Sequence, residues 1–498
     1  MVTSVLGCQL RGLEGHLVEI QVHAGAGTGF FMVGLADASV REARERVKSA
    51  MSHSQLTFPG QKVTVSLAPA QLRKEGSGFD LPIAVAIALA QMDPPPPTAG
   101  CAFIGELSLD GAVRHVDGVL VAARWLAAHG VRELYVAVED AAEAALAEPL
   151  LVRPAPNLLA VIGHLRGDLV LEYERPPVAA SEEPPIVDDL GEVHGQEAAR
   201  RALEVAAAGG HHLLLSGPPG AGKTMLARCL PGLLPRLDLD AAIQVAQVGS
   251  VLGELGPEPL RWTRPFRAPH HTISTAGLIG GGAGLGRPGE ISRAHEGVLF
   301  LDELALFQPG ALQALRQPLE SGEVTITRSR GTVAYPARFM LVAATNPCPC
   351  GWLGDALQTC RCSAAALASY QRSLSGPLLD RIDLRVDVGR AALTALAGEP
   401  VGEGSAPVRQ RVAAARCLQL ERQGTLNASL RARDLRTHAG LGRSRATLER
   451  WAAERGLTAR GFHRSWRVAR TLSDLEGSEQ ICEHHVLEAL GYRLDAAA

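Results

Sequence analysis

The pattern of apolar and polar positions changes character twice along this chain. In the first stretch, short apolar runs such as Val63–Leu67 and Leu134–Val138 alternate with helix-period patterns such as Val40–Met51 and Gly118–His129. That alternation predicts an α/β domain over residues 1–170, with Pro94–Pro97 as an internal loop. A Pro- and Glu-rich stretch over 171–187 then reads as a linker. Beyond it, Gly195–Ala208 has helical spacing, His212–Leu215 is a short apolar strand, and a glycine loop leads into the helix-like Met225–Leu230. Two further buried strands are predicted at Gly297–Leu301 and Phe339–Ala343. Between them, Glu323–Val333 alternates around a turn, the signature of a β-hairpin. From 395 to 498 the period becomes that of amphipathic helices.

Composition narrows the classes. At ~150 residues per domain, 498 residues suit about three domains. A chain 46% hydrophobic and 20% charged is neither disordered nor fibrous. The apolar run Leu81–Ala90 falls far short of the ~20 residues that span a bilayer, so no membrane partner is expected. Val5-Leu6-Gly7-Cys8 looks like a lipoprotein box but lacks a charged and an apolar segment before it, and a cytoplasmic location is expected. Nine cysteines, an odd count in so long a chain, point to reduced thiols or a metal site rather than a disulfide scaffold. The net charge of -3 conceals two asymmetries. Only four of the 49 basic residues are lysine, and residues 409–470 hold 15 arginines against four acids.

The chemistry begins at Gly217-Pro218-Pro219-Gly220-Ala221-Gly222-Lys223-Thr224, a G-x-x-x-x-G-K-[ST] motif between a strand and a helix. Glycines let backbone N–H groups wrap phosphates, and the helix N-terminus adds its positive end. Lys223 is placed to reach the β- and γ-phosphates of ATP and Thr224 to hold Mg2+. Such a site needs a second carboxylate on the metal shell and a group that polarises water. The strand Gly297–Leu301 ends in Asp302 and Glu303, which supply the two. The strand Phe339–Ala343 leads to Asn346, either a hydrogen-bond partner for phosphate or water or a turn residue before Pro347.

These segments, with Pro265-Phe266-Arg267-Ala268-Pro269-His270-His271, Gly289-Glu290-Ile291-Ser292, Asn346-Pro347-Cys348-Pro349-Cys350-Gly351 and Leu378-Leu379-Asp380-Arg381-Ile382-Asp383, resemble an AAA+ ATPase of the magnesium-chelatase-like group, the competence-protein ComM (YifB-like) subfamily. The resemblance implies an α/β AAA+ core with a parallel sheet over 188–394 and an α-helical lid over 395–498. It also implies Asn346 as sensor 1, Arg381 as an arginine finger given to a neighbouring subunit, and Arg460 as sensor 2. By its residues alone, Arg381 equally suits a pair with Asp380 or Asp383. A finger acting in trans implies a homo-oligomeric ring, typically hexameric in this group.

Lys74-Glu75-Gly76-Ser77-Gly78-Phe79-Asp80-Leu81 and Gly105-Glu106-Leu107-Ser108-Leu109-Asp110-Gly111 resemble the proteolytic domain of Lon, whose Ser is activated by a Lys. Aligned through the glycines, those positions fall on Gly78 and Leu120, so the domain over 1–170 is expected to be catalytically dead. Ser77 with Lys74 is the shifted alternative. Cys348, Cys350, Cys360 and Cys362 form C-x-C-x9-C-x-C around Gly351 and Gly354, either a structural Zn2+ site within 346–363 or free or redox-active thiols. Arg328 and Arg330 tip the predicted hairpin and suit DNA phosphates, while a merely solvated hairpin is the plainer alternative. The loop Thr263–Gly289, with Arg264, Arg267, His270 and His271, is a second pore candidate, though the histidines equally suit local carbonyls. The resulting expectation is an ATP-driven ring motor on single-stranded or branched DNA, of the kind the ComM-like group uses in branch migration during transformation. A chelatase-type remodeller of metal-insertion machinery is the alternative, followed by an unfoldase or peptidase.

Overall fold

The computed structural model describes residues 2–176, 186–282, 286–329, 331–355, 357–374, 378–390 and 402–493. Most of the expected linker, the 394/395 boundary and Arg330 lie outside the described residues.

The first unit is built on a mixed seven-stranded sheet. From one edge its strands are Phe30–Val33, Lys62–Ala68, Glu14–Gly25, Val2–Arg11, Cys101–Phe103, Glu133–Ala137 and Leu151–Ala155. The two longest pair antiparallel through a two-residue turn at Gly12 and Leu13, where Gly12 takes φ 65. The apolar run seen in the sequence becomes the helix Asp80–Leu89, buried at every residue. It is a core helix. Its one charge, Asp80, is matched by a two-pronged contact from Arg46 at 2.5 and 2.9 Å and by the N–H of Leu107 at 3.2 Å. A buried carboxylate satisfied in this way is tolerated.

The shifted serine–lysine dyad does not form. Lys74 is fully buried, and its Nζ donates to the carbonyl oxygens of Leu67, at 2.8 Å, and Pro69. Burial lowers its pKa, but the proton-accepting surroundings are backbone carbonyls rather than Ser77. Leu120, at the other aligned position, is a buried apolar residue.

The second unit carries a five-stranded, wholly parallel sheet ordered Phe266–Arg267, Val298–Leu301, Met340–Thr345, Leu213–Ser216, Leu384–Asp387. The strands are apolar at nearly every position because both faces are covered. One buried cluster runs from helix Glu197–Gly209 through Leu213 and Phe300 to Val412, Trp466 and Leu472 of the helical region. On the other face, Leu299, Leu301 and Leu341 pack with Leu278, Ile291 and Phe307. The strand order is not the chain order. Leu213–Ser216 lies between strands reached much later, so its C-terminal end and those of Val298–Leu301 and Met340–Thr345 open side by side. In such sheets that edge is where ligands bind.

The expected hairpin is present as Glu323–Arg328 against Gly331–Pro336, with Arg328 opposite Gly331 beside the tip and exposed. The helical region contains Ser405–Gln423, Ala432–His438, Arg445–Glu454, Ala459–Leu475 and Glu483–Gly491. Its charge needs correcting as a sign of a polyanionic partner. Arg409 and Arg416 are buried and donate to the carbonyls of Gly232 and Ala207. Arg411 pairs with Glu204 and Glu403, Arg422 and Arg470 share Asp474, and Arg464 pairs with Asp383. Much of the positive charge is internal structure. No helix among the described residues is long and apolar enough to cross a membrane.

Candidate functional site

Three adjacent strand ends build the site. Leu213–Ser216 runs into Gly217, whose N–H donates to Thr345 at 3.2 Å. A Cβ there would lie 2.1 Å from the carbonyl oxygen of Val388, so only glycine fits. Gly220 and Gly222 take φ 75 and 87, and Gly222 caps the helix Lys223–Leu233. Pro218 and Pro219 carry the loop outward, and Ala221 is buried beneath it.

Lys223 is buried, and its Nζ donates to the carbonyls of Gly217 at 2.6 Å and Pro218 at 3.0 Å and to Asn346 Oδ1 at 3.1 Å. Burial lowers its pKa, and the charges of Asp302 and Glu303 oppose that shift. Thr224 Oγ1 donates to Asp302 Oδ2 at 2.8 Å, joining the two expected Mg2+ contacts. The other oxygen of Asp302 accepts the N–H of Glu303 at 2.9 Å. Glu303 itself is exposed at φ 51 and ψ 50, a left-handed conformation that turns a strand end sharply outward. Asn346 follows the third strand. The structure thus brings Lys223, Thr224, Asp302, Glu303 and Asn346 together.

The other predicted residues lie elsewhere. Arg381 sits buried in the turn Leu379–Arg381 with its guanidinium against Glu320, while Asp383 pairs with Arg464 and His211. Glu320 is thus a partner of Arg381 from outside its own loop. Hydrogen bonding to His211, its charge and that of Arg464 outweigh burial and hold Asp383 well below the usual carboxylate range. Arg460 is exposed in the first turn of Ala459–Leu475.

Some contacts around the site were not legible. His271 Nδ1 lies 3.4 Å from Glu303 Oε2, and His270 Nδ1 meets Thr272 Oγ1 at 2.8 Å, so neither ring nitrogen is bound to a backbone carbonyl in these contacts. Tyr370 holds the end of the third strand, its hydroxyl 3.0 Å from Thr345 Oγ1 and donating to the carbonyl of Asn346 at 2.9 Å. Gln196 Nε2 reaches the carbonyl of Gly389 at 2.5 Å and that of Ala221 at 3.5 Å. Of these, His270 and His271 carried a signal, their place in the quoted Pro265–His271 segment.

The four cysteines converge as well. Their sulfurs lie within 4.8 Å of one another, with Cys348–Cys350, Cys348–Cys360 and Cys350–Cys360 separations of 3.4, 3.7 and 3.6 Å. An S4 tetrahedron with Zn–S bonds of ~2.3 Å has edges of ~3.8 Å, so the set fits zinc. Gly351 and Gly354 take φ 85 and 77 as the tight loop requires. Backbone N–H groups of Arg361 and Trp352 lower the Cys350 thiol to about 6. The loop leans on the phosphate loop, since a Cβ at Gly351 would lie 2.6 Å from Cδ of Pro219.

Comparison with known proteins agrees with this geometry. The family described as magnesium chelatase, subunit ChlI, matches residues 189–396, its ChlI-subunit companion 18–140 and its C-terminal companion 402–493. Competence protein ComM of Haemophilus influenzae is 44% identical over 494 residues, 97% of this chain and 95% of that one. The chain belongs to the magnesium-chelatase ChlI family. Within that family it falls in the ComM/YifB group. The uncharacterized YifB of Escherichia coli is 42% identical over 97% of this chain and 95% of its own. The magnesium-chelatase 38 kDa subunit of Rhodobacter capsulatus is 29% identical over 31% of this chain and 48% of its own. Membership makes the chain an AAA+ ATPase of this family, and ATP and Mg2+ are the cofactors the family implies. The glycine cradle, Lys223 and the Thr224–Asp302 pair fit both.

Proposed function

We propose that this AAA+ ATPase is a ring-forming motor that acts on DNA, a helicase or branch-migration factor in recombination during natural transformation. The observation that carries the reading is the convergence of Lys223, Thr224, Asp302, Glu303 and Asn346 at three neighbouring strand ends. The likeness to a competence protein supports DNA as the partner. Gly217 to Gly222 cradle the phosphates, and Lys223 exchanges its carbonyl contacts for the β- and γ-phosphates. Thr224 and Asp302 hold Mg2+, which when bound neutralises phosphate charge. Glu303 takes the proton of the attacking water, and Asn346 orients that water or the γ-phosphate. Arg381, exchanging Glu320 for phosphate, completes the site of the next subunit in a homo-oligomeric, hexameric ring, and Arg460 reads the nucleotide from the lid. Arg328, with Arg330 beside it in sequence, contacts the DNA backbone.

The four cysteines hold structural Zn2+ and close the loop after Asn346. Purified protein is then expected to carry one equivalent of zinc per chain, lost in Cys348→Ser; a metal content unchanged by that variant sinks the assignment. We read the N-terminal unit, residues 1–170, as a Lon-protease-like fold without its chemistry, and the cell compartment as cytoplasmic.

The test is the ATPase rate with and without single-stranded and branched DNA, paired with Arg328→Ala. Stimulation is expected, with weaker binding and a shallower salt dependence in the variant. Stimulation by neither DNA overturns the reading. That outcome favours the second reading, a chelatase-type protein remodeller, which the likeness to the 38 kDa magnesium-chelatase subunit supports.

A further inference from the structure

A two-stranded ribbon such as Glu323–Pro336 is marginal by itself. Its apolar positions Val324, Ile326, Val333 and Tyr335 are nonetheless buried. Part of the cover comes from the neighbouring loop: Tyr335 donates its hydroxyl to Gly286 at 2.8 Å, and a Cβ at Gly280 or Gly286 would lie 2.6 or 3.1 Å from Ile326 side-chain atoms. The rest comes from a distant part of the chain. The turn of the first unit's longest hairpin lies against this one, so that a Cβ at Gly12 would be 3.2 Å from Cβ of Val333 and 3.7 Å from Tyr335. Leu13, beside it, packs into the cluster that holds Val333 and Tyr335.

Two more contacts hold the same units together. Asp117 accepts from Arg287 at 2.9 Å, on the strand that follows the covering loop. One residue on, Gly118 N–H donates to the carbonyl of Ser250 at 2.9 Å, and Leu120 N–H to Ser250 Oγ at 3.3 Å. Ser250 lies on helix Leu239–Leu252, whose Gln244 Oε1 is 3.0 Å from His295 Nε2 and 2.8 Å from Arg338 Nη2. The first unit therefore touches the hairpin, its covering loop and the helix behind them.

We infer that the N-terminal unit is the brace that positions the Arg328 hairpin, with Leu13 and Asp117 as its positioning residues. The inference rests on the reading of Arg328 as a DNA contact for its functional meaning, and on packing alone for its mechanics. A domain without protease chemistry thereby acquires a role: it fixes where Arg328 stands relative to the strand ends that hold nucleotide.

The test uses the full chain and measures hydrogen exchange at the amides of Glu323–Pro336. Leu13→Ser is expected to speed that exchange roughly ten-fold and Asp117→Asn about three-fold, since the latter pair is exposed. In both, basal ATPase without DNA is unchanged while the DNA concentration for half-maximal stimulation rises. Asp117→Asn, a surface change, covers the case in which Leu13→Ser fails to fold. Hairpin exchange unchanged in a folded variant overturns the brace. Faster exchange together with DNA binding indifferent to Arg328→Ala removes the DNA contact and leaves the brace standing.

Discussion

Two of the four lysines are buried, one in each unit, and they make a controlled comparison. Both Lys74 and Lys223 have pKa values lowered by burial, and both donate to two backbone carbonyls. Among the described residues, the hydrogen-bond partners of Lys74 are only the carbonyls of the turn it ties together. Lys223 also meets Asn346, sits at a helix N-terminus, and lies next to Thr224, whose hydroxyl is held by Asp302. A desolvated amine is common to both, so desolvation does not distinguish a working site. What does is the convergence of groups from three strands on one amine.

Breaking each lysine should separate chemistry from stability. Lys223→Ala is expected to abolish measurable ATP binding and lower turnover by roughly 10²–10³-fold, with little change in melting; retained turnover would sever the site from hydrolysis. Glu303→Gln should keep nucleotide binding while turnover drops by roughly 10²-fold or more, and an undiminished rate removes Glu303 as the base. Lys74→Met should do the reverse of Lys223→Ala: ATPase unchanged, and a loss of about 1–3 kcal/mol in unfolding free energy from carbonyls left unpaired. A fall in ATPase without a fall in stability would contradict the comparison.

An effect of comparable size, but seen only as a pH dependence, lies at the junction of the two units. Glu143, buried beside Asp140, accepts from Ser250 Oγ at 3.4 Å, with His115 and the N–H of Leu120 also facing it. Burial first, then the Asp140 charge, raises its pKa from 4.5 to about 7. The folded chain therefore keeps a proton that the unfolded chain has released. Stability contributed at this site falls as pH rises from about 4.5 to 7 and is flat above, by up to about 3 kcal/mol. Glu143→Gln should flatten that slope in denaturant titrations run across this pH range. An identical slope in the variant means another group titrates there.

The phosphate loop and the acids after the strand Val298–Leu301 were legible because their chemistry is local: a strand, then glycines or carboxylates, then a helix or turn. Helix and strand positions around them followed from period alone. The sheet order was not legible, since which strands pair is a non-local fact. Tyr370, and the contact of His271 with Glu303, were missed for the same reason, each partner being met across a stretch with no repeating pattern. The basic segment misled for a different physical reason. Counting charges over 409–470 omits Asp474, Asp383, Glu204 and Glu403, which lie outside that window and hold four of its arginines. Net charge measures what a segment contains, and partner recognition depends on what it leaves unpaired.

The cysteine loop has a thermodynamic corollary. It begins two residues after Asn346, touches Pro219 through Gly351, and through Trp352 and Asp355 grips Arg390, just beyond the carbonyl that Gln196 holds. An ion on those thiols and a nucleotide on the glycines thus share a wall. To the extent that one stiffens that wall for the other, reciprocity requires the two affinities to change by the same factor. Metal retention, followed while ATP is added, then becomes a gauge of nucleotide occupancy that involves no hydrolysis at all.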